Sequence, residues 1–154
     1  MKKSYDFFSS VSGLFFGVVN VATLFFGVLM KKIHEMLLPI KTVSEANSTE
    51  HWTVKNKRHI LQKNYVNSSF LNDQFTCPMP CVVKITRIAP RMLDDHDNLR
   101  VSVKWIADQI AVNLTKVVTP GRADDDKRIT WQYDQAKGKP KEYAVKIEFF
   151  IFQT

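Results

Sequence analysis

The sequence predicts an α+β fold: a small mixed sheet with two main helices and a C-terminal β-hairpin, preceded by an apolar N-terminal helix. Three observations carry this reading. Apolar residues from Leu99 to Leu114 recur at three- and four-residue intervals, those from Ile129 to Phe149 alternate with polar ones, and residues 7–30 hold no charge at all. At 154 residues and 45% apolar content, the chain has the length and composition of one compact domain, which excludes large multidomain architectures.

The 24 uncharged residues between Asp6 and Lys31 are rich in Phe, Val and Leu, and a helix of that length spans a bilayer core. Ser9, Ser10, Ser12, Asn20 and Thr23 interrupt it only mildly, and Gly13, Gly17 and Gly27 are of the kind that membrane helices use for packing. Lysines flank both ends, so charge gives no orientation. Met30-Lys31-Lys32 repeats the Met1-Lys2-Lys3 opening, so the run reads either as a membrane helix or as an over-extended start. The division falls between 1–34 and 35–154, and the second part keeps a net charge of +4.

Leu37 to Val43 is a short strand candidate, with Pro39 suiting an edge position. Ser44 to Glu50 is rich in capping residues, and His51 to Tyr65 reads as an exposed basic helix. Phe70 to Pro80 is a loop, and Val82 to Ile88 is a β-branched run closed by Pro90. In the helix from Asn98 to Leu114, the positions Leu99, Val103, Ile106, Ala107, Ile110, Ala111 and Leu114 define one buried face. Ile129, Trp131 and Tyr133 form one alternating run and Tyr143, Val145, Ile147 and Phe149 another. The Lys137-Gly138-Lys139-Pro140 turn joins them into the hairpin.

A formal charge of +7 favours phosphate-bearing partners or a membrane surface. Cys77 and Cys81 have no second cysteine pair or His cluster beside them, so they read as reduced thiols of an intracellular, cytoplasmic protein rather than a disulfide scaffold or zinc site. Two acidic clusters stand out in this basic chain: Asp94-Asp95-His96-Asp97-Asn98 opening the amphipathic helix, and Asp124-Asp125-Asp126 before the Ile129 strand. Gathered carboxylates raise one another's pKa unless a divalent cation neutralises them, and oxygen ligands are what Mg²⁺ accepts. The plainer alternative is that these aspartates cap a helix and sit in solvated loops.

Over residues 37–149 the sequence resembles the RusA-type Holliday-junction resolvase family, in particular its phage and prophage members. The resemblance rests on Leu93-Asp94-Asp95-His96-Asp97-Asn98-Leu99, on Asp125-Asp126-Lys127-Arg128-Ile129, and on Ser44-Glu45-Ala46-Asn47 followed by Trp52. Trp131-Gln-Tyr-Asp-Gln135 and Lys139-Pro-Lys-Glu-Tyr143-Ala-Val145 add to it. It implies that residues 35–154 form a nuclease domain, a Mg²⁺-dependent endonuclease that acts as a homodimer on branched DNA, the four-way junction of recombination and repair. Asp95, Asp97 and Asp126 would hold the metal, with Asp125 the neighbouring candidate, and Asn98 would orient the site.

In the family's best-known members a lysine follows the Asn by three residues, where this chain has Val101. Lys104 lies on nearly the same helix face as Asp97 and is the substitute candidate for a charge on the scissile phosphate. Lys55, Lys57, Arg58, Lys63, Arg87, Arg91 and Arg100 are candidate phosphate contacts; Asn47 belongs to the DNA-binding set, and Trp52 and Trp131 are candidate stacking platforms. Two readings of other classes stand beside it. One is a junction-binding protein without catalysis, suggested by Val101. The other is a membrane-anchored protein with an exported domain, suggested by the apolar run and by sequons at Asn47, Asn67 and Asn113.

Overall fold

Between Cys77 and Pro90 the chain gathers Val82, Val83, Ile85 and Ile88 within a few residues, too many apolar side chains for a strand with one wet face. The computed structural model, which describes residues 22–25, 28–46, 48–94, 98–117 and 123–153, gives these residues an interior strand of a five-stranded sheet. Ala22–Phe25 (β1), Val28–Leu38 (β2), Cys81–Ala89 (β3), Ile129–Lys137 (β4) and Ala144–Phe152 (β5) are ordered β1-β2-β5-β3-β4. β3 has no exposed residue. Trp52–Asn72 (α1) and Asn98–Thr115 (α2) are the two helices, and a short 3₁₀ turn, Ala123–Asp125, precedes β4.

The mixed α+β class with two helices is as the sequence predicts; the C-terminal hairpin is not. β4 and β5 do not pair: β3 lies between them, parallel to β4 with Cys81 opposite Ile129, and antiparallel to β5 with Cys81 opposite Ile151. Alternation identifies a strand without naming its neighbour, and the strand buried on both faces takes the interior place between the other two. The β4–β5 connection therefore passes the end of β3, where Gly138 N–H donates to Ala89 O at 2.9 Å. A Cβ at Gly138 would stand 3.2 Å from Ile88 Cγ2, so this passage is tight.

Residues 7–21, most of the run read as an apolar helix, lie outside the described residues. Its described end is strand instead: β1 pairs antiparallel with β2, Phe25 opposite Val28, and β2 runs through the expected boundary at residue 34 to pair with β5. Among the described residues no helix is long and apolar enough to cross a membrane. The strand expected at 37–43 is thus the end of a longer one. Burial alternates on through Ile40 and Thr42, but the ladder stops at Leu38 because Pro39 has no N–H to give.

Both helices pack on one face of the sheet. Val103, Ile106 and Ile110 of α2 meet Val83, Ile85, Ile147 and Phe149, while α1 joins through a narrow stripe of Gln62, Val66 and Phe70. α1 is largely polar, so it is held by these few buried side chains, at roughly 1.5–3 kcal/mol for each large apolar one. His51 caps it, its Nδ1 accepting from Thr53 N–H, where the sequence offered Ser and Asn. α1 runs on to Asn72, so the loop expected from Phe70 begins only at Asp73; Cys77 and Cys81 are free thiols.

Candidate functional site

The chain order β3, α2, β4 with parallel strands makes a βαβ unit, and the candidate residues lie along α2. β3 ends at Ala89, and the segment that follows is anchored at Leu93. The Gln135 amide of β4 accepts from Leu93 N–H at 2.9 Å and donates to Leu93 O at 2.8 Å. Next, Leu99 N–H donates to Asp94 O, and Ser44 Oγ donates to Asn98 Oδ1 at 2.6 Å. The entry to α2 is therefore gripped from β4 on one side and from the loop after β2 on the other.

Asp95 and Asp97, the two aspartates expected as ligands at this entry, lie outside the described residues, as does Asn47. Lys104 stands on α2, six residues beyond Asn98 at the helix start. Its ammonium lies 3.4 Å from Asp108 and 3.5 Å from Asp124, with about half of its side chain open to solvent. Burial opposes its charge, yet the two carboxylates outweigh burial and hold its pKa above the usual lysine value. Asp108 is pushed above the ordinary carboxylate value, first by burial; the Asp124 charge adds to that push and Lys104 opposes it.

The aspartates of the second acidic cluster divide by their partners. Of the three consecutive aspartates, Asp124 turns toward α2, held there because Trp131 Nε1–H donates to Asp124 O at 3.0 Å. Asp125 is exposed. Asp126 is engaged by Arg128, whose Nη2 stands 2.7 Å away and whose backbone N–H also donates to it, and Arg128 thereby holds its pKa down at about 2. Asp108 was not legible as a site residue, though its i+4 spacing from Lys104 marks it in retrospect. Among the described residues no three His, Cys, Asp or Glu side chains gather to hold a metal ion.

The basic residues divide by their partners. Arg58 is mostly covered and bonded to both Glu45 and Glu50, Lys55 Nζ donates to Ser48 O, and Lys63 Nζ lies 5.1 Å above the Trp105 ring. His59 completes this group, bonded to Glu45 at 2.9 Å and stacked on Trp105 at 4.0 Å. These contacts clamp the loop before α1 onto the helices, a structural role for three of the expected phosphate contacts. Arg100 lies 5.3 Å over the Tyr133 ring, while Lys57 and Arg91 are exposed. Trp52 is 67% exposed at the start of α1; Trp131, expected as a stacking platform, is instead part-buried against the core.

No protein-family model matches the sequence, and no curated protein matches it either.

Two of the three sequons also sit poorly for glycosylation. Gln109 Nε2 donates to Asn67 Oδ1 at 2.9 Å and to Asn113 Oδ1 at 3.2 Å, so both asparagines lie in the seam between α1 and α2. Arg87, expected on a phosphate, is buried on β3: its Nε donates to Thr42 Oγ1 at 3.0 Å and its Nη1 to Arg91 O at 2.8 Å.

Proposed function

We propose that this chain is a Mg²⁺-dependent, structure-specific endodeoxyribonuclease that resolves four-way DNA junctions as a homodimer. The observation that carries the reading is the Lys104 ammonium held between Asp108 and Asp124 on the helix that the Asp95-His96-Asp97 segment enters. The donor chemistry fits the metal. The Asp124 charge adds to the upward push that burial exerts on Asp108, a push that a cation relieves, and hard oxygen donors suit Mg²⁺. Asp124, together with Asp95 and Asp97, would hold it; Asp126, which pairs with Arg128 within its own turn and does not meet Lys104, is the weaker candidate.

A Mg²⁺ held by these carboxylates would supply Lewis-acid chemistry, polarising a phosphodiester oxygen and making a water more acidic. Lys104, half exposed, supplies a cation for the charge that grows on the scissile phosphate. Ser44 holds Asn98 at the start of α2, and Gln135 holds Leu93 ahead of it. Lys57, Arg91 and Arg100 supply affinity for the DNA backbone without reading sequence.

The test is cleavage of a synthetic four-way junction by the full chain, with and without Mg²⁺, beside Asp97→Asn and Asp124→Asn. Paired, metal-dependent nicks that vanish in both variants are expected. Binding without nicks in the native chain turns the reading into that of a non-catalytic junction-binding protein, and no binding at low salt removes the nucleic-acid reading.

A further inference from the structure

A second feature lies beside the α2 entry and is not used by the acidic group. Lys41, Thr42, Ser44, Arg87, Arg91 and Tyr143 line a groove of about 260 Å³ that contains no carboxylate among its lining residues. At its floor is Arg87, only 5% exposed. A buried guanidinium normally has an anionic partner, because transfer of an unpaired charge from water is costly. Here, among the described residues, no carboxylate pairs with it. Two of its nitrogens are taken, Nε by Thr42 and Nη1 by the Arg91 carbonyl, both neutral acceptors. That fixes the plane of the guanidinium and leaves Nη2 for the groove.

The surroundings add further charge of the same sign. Lys41 reaches across the mouth with its Nζ 4.9 Å above the Tyr143 ring, and Arg91 is exposed at the rim. Three cations with hydroxyls of Ser44 and Tyr143 beside them, and no carboxylate among the residues that line the groove, call for an oxyanion. Ser44 also links the groove to the candidate site, since its hydroxyl holds Asn98 at the first residue of α2.

We propose that this groove seats a phosphate group of the nucleic-acid backbone, adjacent to the one acted on at α2. The inference rests on the nuclease reading for the source of the phosphate, and on the groove alone for the phosphate itself.

The experiment has two arms on the full chain. In the first, inorganic phosphate is titrated against chloride at equal ionic strength and the Arg87 Nε–H resonance is followed by NMR. A saturable shift is expected in the native chain and its loss in Lys41→Ala/Arg91→Ala. This variant removes exposed side chains only and keeps the Arg91 carbonyl that holds Arg87. In the second, four-way junction DNA is bound over a range of salt. The double variant is expected to weaken binding about tenfold and to flatten the salt dependence by about one ion, whereas Lys116→Gln, an equal kind of charge loss at the far end of α2, does not flatten it.

Junction binding with unchanged affinity and salt dependence in the double variant overturns the groove proposal and leaves the nuclease reading standing. Absence of a saturable phosphate shift in the native chain overturns it as well. A phosphate shift without DNA binding by the native chain removes the nuclease reading and with it the nucleic-acid source, leaving a seat for a small phosphate.

Discussion

The hydroxyl of Ser44 and the side-chain oxygen of Asn98 stand 2.6 Å apart, joining the loop after β2 to the first residue of α2. Fifty-four positions separate these residues in sequence, yet one hydrogen bond sets how α2 enters the site. Ser44→Ala is expected to cost about 1 kcal/mol of stability and to lower junction cleavage by more than it lowers junction binding. Denaturant unfolding, cleavage and binding measured on one preparation separate these effects; equal losses in binding and cleavage argue against positioning.

Asp124→Asn is expected to reduce metal-dependent cleavage at least tenfold, and Asp126→Asn to leave most of it intact, because of these two it is Asp124 that faces Lys104. The comparison is made as initial rates at saturating Mg²⁺. A larger loss for Asp126→Asn assigns the third ligand to the position paired with Arg128.

Asp126 carries a pH dependence of definite sign. Arg128 depresses its pKa from an ordinary 3.8 to about 2, so the native state holds this proton less tightly than the unfolded chain does. The contribution is present above the unfolded value and disappears as pH falls from about 4 through about 2. The pair is solvent-exposed, so added salt weakens the effect. A carboxyl ¹³C titration of the native chain and of Arg128→Ala checks it: in the variant the Asp126 midpoint returns to the ordinary range.

Arg58→Ala is expected to destabilise the fold by about 2 kcal/mol, since Glu45, mostly covered, loses its guanidinium partner and keeps only the hydrogen bond with His59. In junction binding the same variant is expected to leave the salt slope unchanged, because its charge is already spent on Glu45 and Glu50. A slope that flattens by about one ion shows instead that Arg58 reaches a phosphate.

Gln62 is 2% exposed on α1, and its Oε1 accepts no hydrogen bond. Gln62→Leu removes an unpaired buried acceptor at similar volume and is expected to raise stability by about 1 kcal/mol, visible as a higher melting temperature. A drop in melting temperature places a solvent partner on that oxygen.

What the sequence by itself determined is the local order of the chain. The spacing of Leu99, Val103, Ile106 and Ile110 predicts α2 to within a residue at its end, and alternation in β4 and β5 predicts both strands, because each pattern reports which face of one element is buried. The tertiary structure alone decided the partners. It set β3 between β4 and β5, where alternation predicts a hairpin, because a strand buried on both faces needs neighbours on both edges. It made strands of residues 22–25 and 28–38: the end of the apolar run fits a helix equally well until β5 supplies hydrogen bonds to β2, and β2 to β1. It also chose Asp124 among three consecutive aspartates: one-residue steps in a turn point carboxylates in different directions, and only the Trp131 hydrogen bond holding that turn determines which of them meets Lys104.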